Sequence, residues 1–256
     1  MFNTTRIFAI KTLLRTALRN KFAKYAPEST HMPFHFALLG KDRMALYSFL
    51  QSLNTTFGTS IFEPVAEAIA KTRFVKVAKQ YTVGAEIFAA AQVEANSIVE
   101  EIAISGEPDK NAEIARLRTK LSGPKNTIKP VKVDLYCEDT EGNVFLFDLK
   151  TAKPNTGEFK GYKRTLLDWC AVALTTNPQA KVHSLISIPY NPYFPKPYER
   201  WTMKGMLDIA EELKVAEEFW DFLGGPGTYQ NVLTCFEEVG VEMRAEIDQH
   251  FLKYQK

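Results

Sequence analysis

Three side chains in the middle of the chain have the types and spacing for chemistry: Asp134, Asp148 and Lys150. They lie in KVDLYCEDTEGNVFLFDLK, Lys132 to Lys150. Val131, Val133 and Leu135 alternate with Lys132, Asp134 and Tyr136, the period-two pattern of a strand. Asp139, Glu141, Gly142 and Asn143 supply a polar turn. Val144 to Lys150 then resumes as a strand rich in aromatic and branched residues. Side chains alternate across a strand, so Asp148 and Lys150 share a face. Pairing within the hairpin can bring Asp134 close to Asp148. Two carboxylates and an amine suit a hard divalent cation, because Mg²⁺ takes one or two carboxylates, keeps several waters and leaves room for a substrate phosphate. Such a set points to metal-assisted hydrolysis of a phosphodiester. The same residues also fit a structural role, with Asp134 and Lys132 solvated and Asp148–Lys150 a surface ion pair. A lone D-x-K is common. The preceding acid on a paired strand, the short turn and the basic helix that follows favour the catalytic reading.

Other elements must hold this hairpin. Residues 3 to 24 read as an amphipathic helix ending before Pro27. Residues 30 to 36 read as a loop, since Pro33 between His31 and His35 argues against a helix and against a histidine metal pair. A second helix is expected over 40–53, then a break at Thr55 to Gly58. Ser60-Ile-Phe-Glu63 matches a capping box before an apolar run, with Pro64 tolerable in a first turn. Glu63 and Glu67 lie one turn apart on that helix. Lys71, Arg73, Lys76 and Lys79 form a basic run, and Gly84 to Ile104 reads as a strong helix. A shorter helix covers Asn111 to Lys120. After Lys150, a polar loop carries Lys153 and Asn155. The helix from about 158 to 174 puts Lys160, Lys163 and Arg164 on one face, opposite Phe159, Tyr162, Leu166, Trp169 and Ala173. A basic stripe leaving the hairpin can meet phosphates or base edges, or it can be a solvated face. Lys181 to Tyr190 reads as a buried strand with a structural His183. A proline- and aromatic-rich loop follows, with Asn191, Lys196 and Arg200 as possible DNA contacts, and then helices over about 203–223 and 229–254. The order is that of an α/β (α+β) chain: a mixed central sheet flanked by helices, with added N- and C-terminal helices.

At 256 residues one domain of about this size is expected. Residues 1–125 would be mainly helical, 126–192 the catalytic sheet core and 193–256 a helical C-terminal part. The formal net charge of +2 announces no nucleic acid by itself. Its distribution is uneven. The first 25 residues carry Arg6, Lys11, Arg15, Arg19, Lys21 and Lys24 with no acid, while the stretch from Asp208 onward is strongly acidic. Such asymmetry can separate a DNA-facing side from a far side, or reflect solvated helix faces. Cys137, Cys170 and Cys235 lack zinc spacing and read as free thiols in a reducing cytoplasm. No signal peptide and no membrane-crossing run is expected, and a cytoplasmic protein is the expectation.

The arrangement Asp134…Asp148-Leu149-Lys150 resembles the PD-(D/E)xK nuclease superfamily. The run FDLKTAKPNTGEFKGYKRTLLDW and the earlier SLNTTFGTSIFEPVAEAIA are similar to blocks of the TdeIII family of type II restriction endonucleases, and the likeness covers most of the chain. One departure is Val133 before Asp134, where the superfamily's named pattern has proline; Pro130 stands earlier. The resemblance implies a restriction-endonuclease-like core and Mg²⁺-dependent cleavage of double-stranded DNA at a short palindromic, GGNCC-like site. It implies Asp134, Asp148 and the Leu149 carbonyl as metal ligands. Lys150 would activate water or stabilise charge, and Glu63 or Glu67 would join from the helix. Lys153, Asn155, Lys160, Lys163, Arg164 and Arg200 would contact DNA. It also implies a homodimer and a companion DNA methyltransferase. Two other readings remain open: a structure-specific repair or junction nuclease of the same core, and a non-catalytic DNA-binding module.

Overall fold

The computed structural model describes residues 3–27, 31–150, 158–199 and 205–252. Helix α1 (Thr4–Lys24) opens at Asn3, whose side chain accepts the Arg6 N–H at 2.9 Å. It buries Ile10 and Leu14. Helices α2 (Pro33–Leu39) and α3 (Lys41–Thr56) follow. The loop expected over 30–36 is therefore in part helix: Pro33 is its first residue, where a missing N–H costs nothing. The expected break at 55–58 is also absent. A π-helical turn, Phe57–Phe62, runs from α3 into α4 (Glu63–Ala70), so Ser60 sits inside a helical run and caps nothing. Glu63 is released from the capping duty that the sequence suggested.

Strand β1 (Lys76–Phe88) takes the place of the first turn of the expected 84–104 helix, which begins only at α5 (Ala89–Ser105). Within this strand position 84 takes glycine because a Cβ there would come within 2.8 Å of a Val172 methyl. Then come α6 (Lys110–Arg118), β2 (Lys125–Glu138), β3 (Asn143–Leu149), α7 (Phe159–Thr176) and β4 (Lys181–Ile188). The single helix expected over 203–223 is instead a short α8 (Ile209–Glu212), β5 (Leu213–Val215) and α9 (Glu217–Gly224). Helices α10 (Thr228–Glu242) and α11 (Arg244–Leu252) divide the last expected helix.

The five strands lie in the order β1-β2-β3-β4-β5. The first three pair antiparallel; β4 is parallel to β3, and β5 to β4. This is the expected mixed sheet flanked by helices. On one face α5, α6 and α7 pack against Val133, Leu146, Val182 and Ile186. On the other, α1, α4, α9 and α10 pack against Leu135, Phe147 and Leu185. A sheet with both faces covered explains why β3 and β4 read as nearly continuous apolar runs. The charge asymmetry has a structural outcome. Lys11, Arg15 and Arg19 of α1 pair with Glu238, Glu242 and Glu246 at 2.5, 2.7 and 2.7 Å. At these residues the basic N-terminus and the acidic C-terminal part face one another instead of marking opposite sides of the molecule.

Candidate active site

The hairpin register opposes Leu135 to Phe147 and Tyr136 to Leu146. One step further along it puts Asp134 opposite Asp148. Asp134 accepts the Leu149 N–H on Oδ2 at 2.8 Å, fixing its carboxylate at the end of β3. Asp148 is buried, and its Oδ1 lies 2.9 Å from Lys150 Nζ. The Lys150 backbone N–H donates to the Ser187 carbonyl at 2.9 Å, so β4 holds the end of β3 in place. Lys150 Nζ also lies 5.0 Å from the centre of the Tyr162 ring, a cation–π distance. The Tyr162 hydroxyl donates to Glu158 at 2.5 Å, which orients that ring at the start of α7.

The electrostatics follow from burial. The Asp148 carboxyl is pushed up to about 6, chiefly by desolvation; the Lys150 ammonium opposes this and the Asp134 charge adds to it. Glu63, on α4, is also raised, first by burial; the Gln80 hydrogen bond lowers it, Asp134 raises it, and Lys79 and Lys132 lower it. Asp134 thus lies within the charge field of both Glu63 and Asp148, with the Lys150 ammonium at Asp148 and Lys79 and Lys132 acting on Glu63.

Gln80 links Glu63 to Asp134. Its Nε2 donates to Glu63 at 2.9 Å and to Asp134 at 3.1 Å. Sequence reasoning missed this residue and Tyr162. Gln80 sat in an unremarkable polar run, and Tyr162 read only as part of a helix's apolar face. Of the two helix glutamates, Glu63 reaches the hairpin through Gln80. Glu67 instead pairs with Lys71 one turn on, at 2.8 Å.

The proposed basic stripe separates on folding. Lys160 is exposed and paired with Glu100, and Arg164 pairs with Asp168 on its own helix. Lys163 has no exposed surface. Its ammonium lies 2.6 Å from Glu113 and 2.7 Å from Glu212. It cannot touch a phosphate from there, so Lys163 is withdrawn as a DNA contact. It lies on the core side of α7, which a purely helical count had taken for solvent. Lys153, Asn155 and Arg200 lie outside the described residues. His183 stacks on Phe145 at 4.8 Å, in keeping with a structural role. All three cysteines are buried and free.

The groups expected from the sequence as metal ligands, the Asp134 and Asp148 carboxylates and the Leu149 carbonyl, are hard oxygens. Among the described residues no three His, Cys, Asp or Glu side chains form a ready cage for a metal. Hard oxygens of this kind are the donors a divalent cation such as Mg²⁺ takes, one or two carboxylates with water and substrate completing the shell.

The family model for type II restriction endonucleases of the HinfI type matches residues 3–240. The chain belongs to the HinfI family. The match runs from α1 into α10 and includes the hairpin, α4 and α7. HgiEI of Herpetosiphon aurantiacus, a type II restriction enzyme, is 27% identical over 227 residues, covering 86% of this chain and 81% of the relative. HgiCII of the same organism is 26% identical over the same length. MjaII of Methanocaldococcus jannaschii, also a type II restriction enzyme, is 27% identical over 265 residues, covering 93% of this chain and 70% of its own. As a HinfI family member the protein is a site-specific endonuclease. The family named by the match is HinfI and not TdeIII, so the sequence resemblance is supported at the level of type II restriction endonucleases. No described helix is long and apolar enough to cross a membrane.

Proposed function

We propose that this endonuclease is a Mg²⁺-dependent enzyme of the PD-(D/E)xK type whose site is Asp134, Asp148 and Lys150, with Glu63 beside them. The observation that carries the reading is the juxtaposition at the end of β3: Asp134 on the Leu149 N–H and Asp148 on Lys150, both at hydrogen-bond distance. Asp134, Asp148 and the Leu149 carbonyl would hold Mg²⁺. Bound there, the ion would supply Lewis-acid stabilisation of charge on the phosphate. Asp148 keeps Lys150 Nζ at the mouth of the site, where the amine can take a proton from an attacking water or donate to a phosphate oxygen. Tyr162 and Asp148 together limit the rotamers of Lys150, so its position is set before substrate arrives. Glu63 can orient water on the α4 side.

Lys160 and Arg164 on α7 remain proposed DNA contacts. Lys79 and Lys132 join them, because both are exposed and their charge is felt at Glu63. The reading extends to a homodimer, to a short palindromic site of GGNCC type carried by the TdeIII resemblance, and to a companion DNA methyltransferase in a shared cytoplasm. The paired strand ends favour catalysis over a non-catalytic DNA-binding module.

Digestion of a sequenced plasmid with Mg²⁺, with and without EDTA, followed by run-off sequencing of the ends, tests activity, metal need, site and cut position together. Discrete bands that vanish in EDTA are expected. A smear, or cutting confined to branched DNA, would favour the structure-specific nuclease. Asp148→Ala and Lys150→Ala should each lower the cleavage rate by at least about 10²–10³-fold, the scale for removing one preorganised charge-stabilising group. DNA binding in EDTA should be largely retained. Undiminished cleavage by both variants would sink the site assignment.

A further inference from the structure

We propose that Gln80 is a positioning residue of this site, a neutral clamp that fixes Glu63 and Asp134 in the geometry that receives the cation; the inference rests on the metal-dependent reading above. Gln80 stands in β1 with φ of +51°. That is the left-handed region, which glutamine seldom occupies and which asparagine and glycine tolerate better. The ladder does not slip around it. Lys79 still opposes Leu135 and Tyr81 still opposes Val133. The unusual backbone therefore re-aims one side chain, directly opposite Asp134, and leaves the register intact. Outliers of this kind persist where their surroundings over-determine them, and they gather at functional sites.

The re-aimed amide has a definite task. Its nitrogen donates to Glu63 Oε2 at 2.9 Å and to Asp134 Oδ1 at 3.1 Å. Ionised carboxylates only accept, so the chemistry dictates that the nitrogen end faces both. Asp134 is thereby held on both oxygens, by Gln80 on Oδ1 and by the Leu149 N–H on Oδ2. Its two anchors come from the strands on either side. Glu63 comes from α4, so the clamp also fixes a helix side chain relative to the sheet. A lysine in this place would cancel charge that the cation needs. The amide orients both acids and leaves their charge intact. Outer partners of metal ligands act in this way, and their loss typically costs about 10–100-fold in metal affinity or activity.

The test uses the full chain. Gln80→Gly removes the amide and relaxes the backbone, and Gln80→Met keeps the side-chain length and neutrality but cannot donate. Mn²⁺, which takes the same oxygen ligands, is titrated and followed by its electron paramagnetic resonance signal. Thermal midpoints and cleavage at rising Mg²⁺ are measured alongside. Both variants should bind Mn²⁺ about 10–100-fold more weakly. Gln80→Gly should melt no lower than the parent, and excess Mg²⁺ should restore much of its cleavage rate. Gln80→Gly equal to the parent in Mn²⁺ affinity would overturn the inference. So would a lowered thermal midpoint with Mn²⁺ affinity unchanged, which is the signature of a purely structural residue. A parent that neither binds Mn²⁺ nor cuts DNA would overturn the metal-dependent reading itself, and this inference with it.

Discussion

Asp148 is the residue on which the site's electrostatics turn. Desolvation lifts its carboxyl to about 6, and Asp134 reinforces the lift while Lys150 resists it. The folded, metal-free protein therefore holds a proton there that the unfolded chain, with an ordinary aspartate value of 3.8, releases earlier. Stability from this group is fully present below about pH 4 and is lost as pH rises through about 6. Thermal melts in EDTA should show that decline, and Asp148→Asn should flatten it across this window. An equally steep profile in Asp148→Asn would refute the assignment. Divalent cations need the carboxylate, so their stabilising effect should run the other way and weaken as pH falls below about 6. That Asp134, Asp148 and Lys150 would meet at the paired strand ends was legible in the sequence from residue type and alternation, while Glu63 on its helix was offered only together with Glu67. Gln80 was not legible. Nothing in a one-dimensional pattern marks a left-handed residue inside a strand, and its partners come from elements 17 and 54 positions away.

At the scale of elements, the hairpin, α7 and β4 emerged where period and turn chemistry placed them. The failures share a physical cause. Strand β1 is an edge strand with irregular register around Gly84, so its alternation is blurred and its apolar end merges with the α5 pattern. Strand β5 is three residues long and sits among helix formers, so only the sheet edge it completes makes it a strand. The buried lysines are a third case. Lys110 and Lys163 lie in the core with Glu113, Glu212 and Ser184, tying α6, α7 and α8 to β4. Burial pushes Glu113 up, while Glu212, between both lysines, is held below the usual carboxylate range against its own burial. Breaking a buried pair strands a charge, at a typical cost of about 3–5 kcal/mol. Lys163→Met should lose about that much in urea unfolding, and Lys163→Met with Glu113→Gln should recover part of it. A single variant within about 0.5 kcal/mol of the parent, the range of ordinary surface changes, would show that the network is not what anchors α8.

For the whole molecule, the proposed function raises the question of how one chain with one such site would cut two strands. In the proposed homodimer a second copy would supply the second site, and two-fold pairing would match a palindromic target. The surface offers a place for it. Helix α2 buries none of its residues, and Phe34 and Leu38, one turn apart, are 86% and 83% exposed. Tyr47 and Leu50 of α3 are also exposed. Large apolar side chains left this exposed on neighbouring helices are candidates for a contact site. Helix α2 carries no acid and no lysine or arginine, so it can meet its own copy without like-charge repulsion. It lies apart from the Asp134–Asp148–Lys150 cluster in sequence, and neither Phe34 nor Leu38 touches those residues' hydrogen-bond network. Replacing Phe34 and Leu38 together by Asp should therefore convert a dimer to a monomer in light scattering while leaving the metal affinity of each chain unchanged. On supercoiled plasmid the variant should accumulate nicked circles before linear DNA, whereas the parent makes linear product directly. A parent that is monomeric at concentrations where it cuts both strands, or a variant that stays dimeric, would rule out this face as the interface.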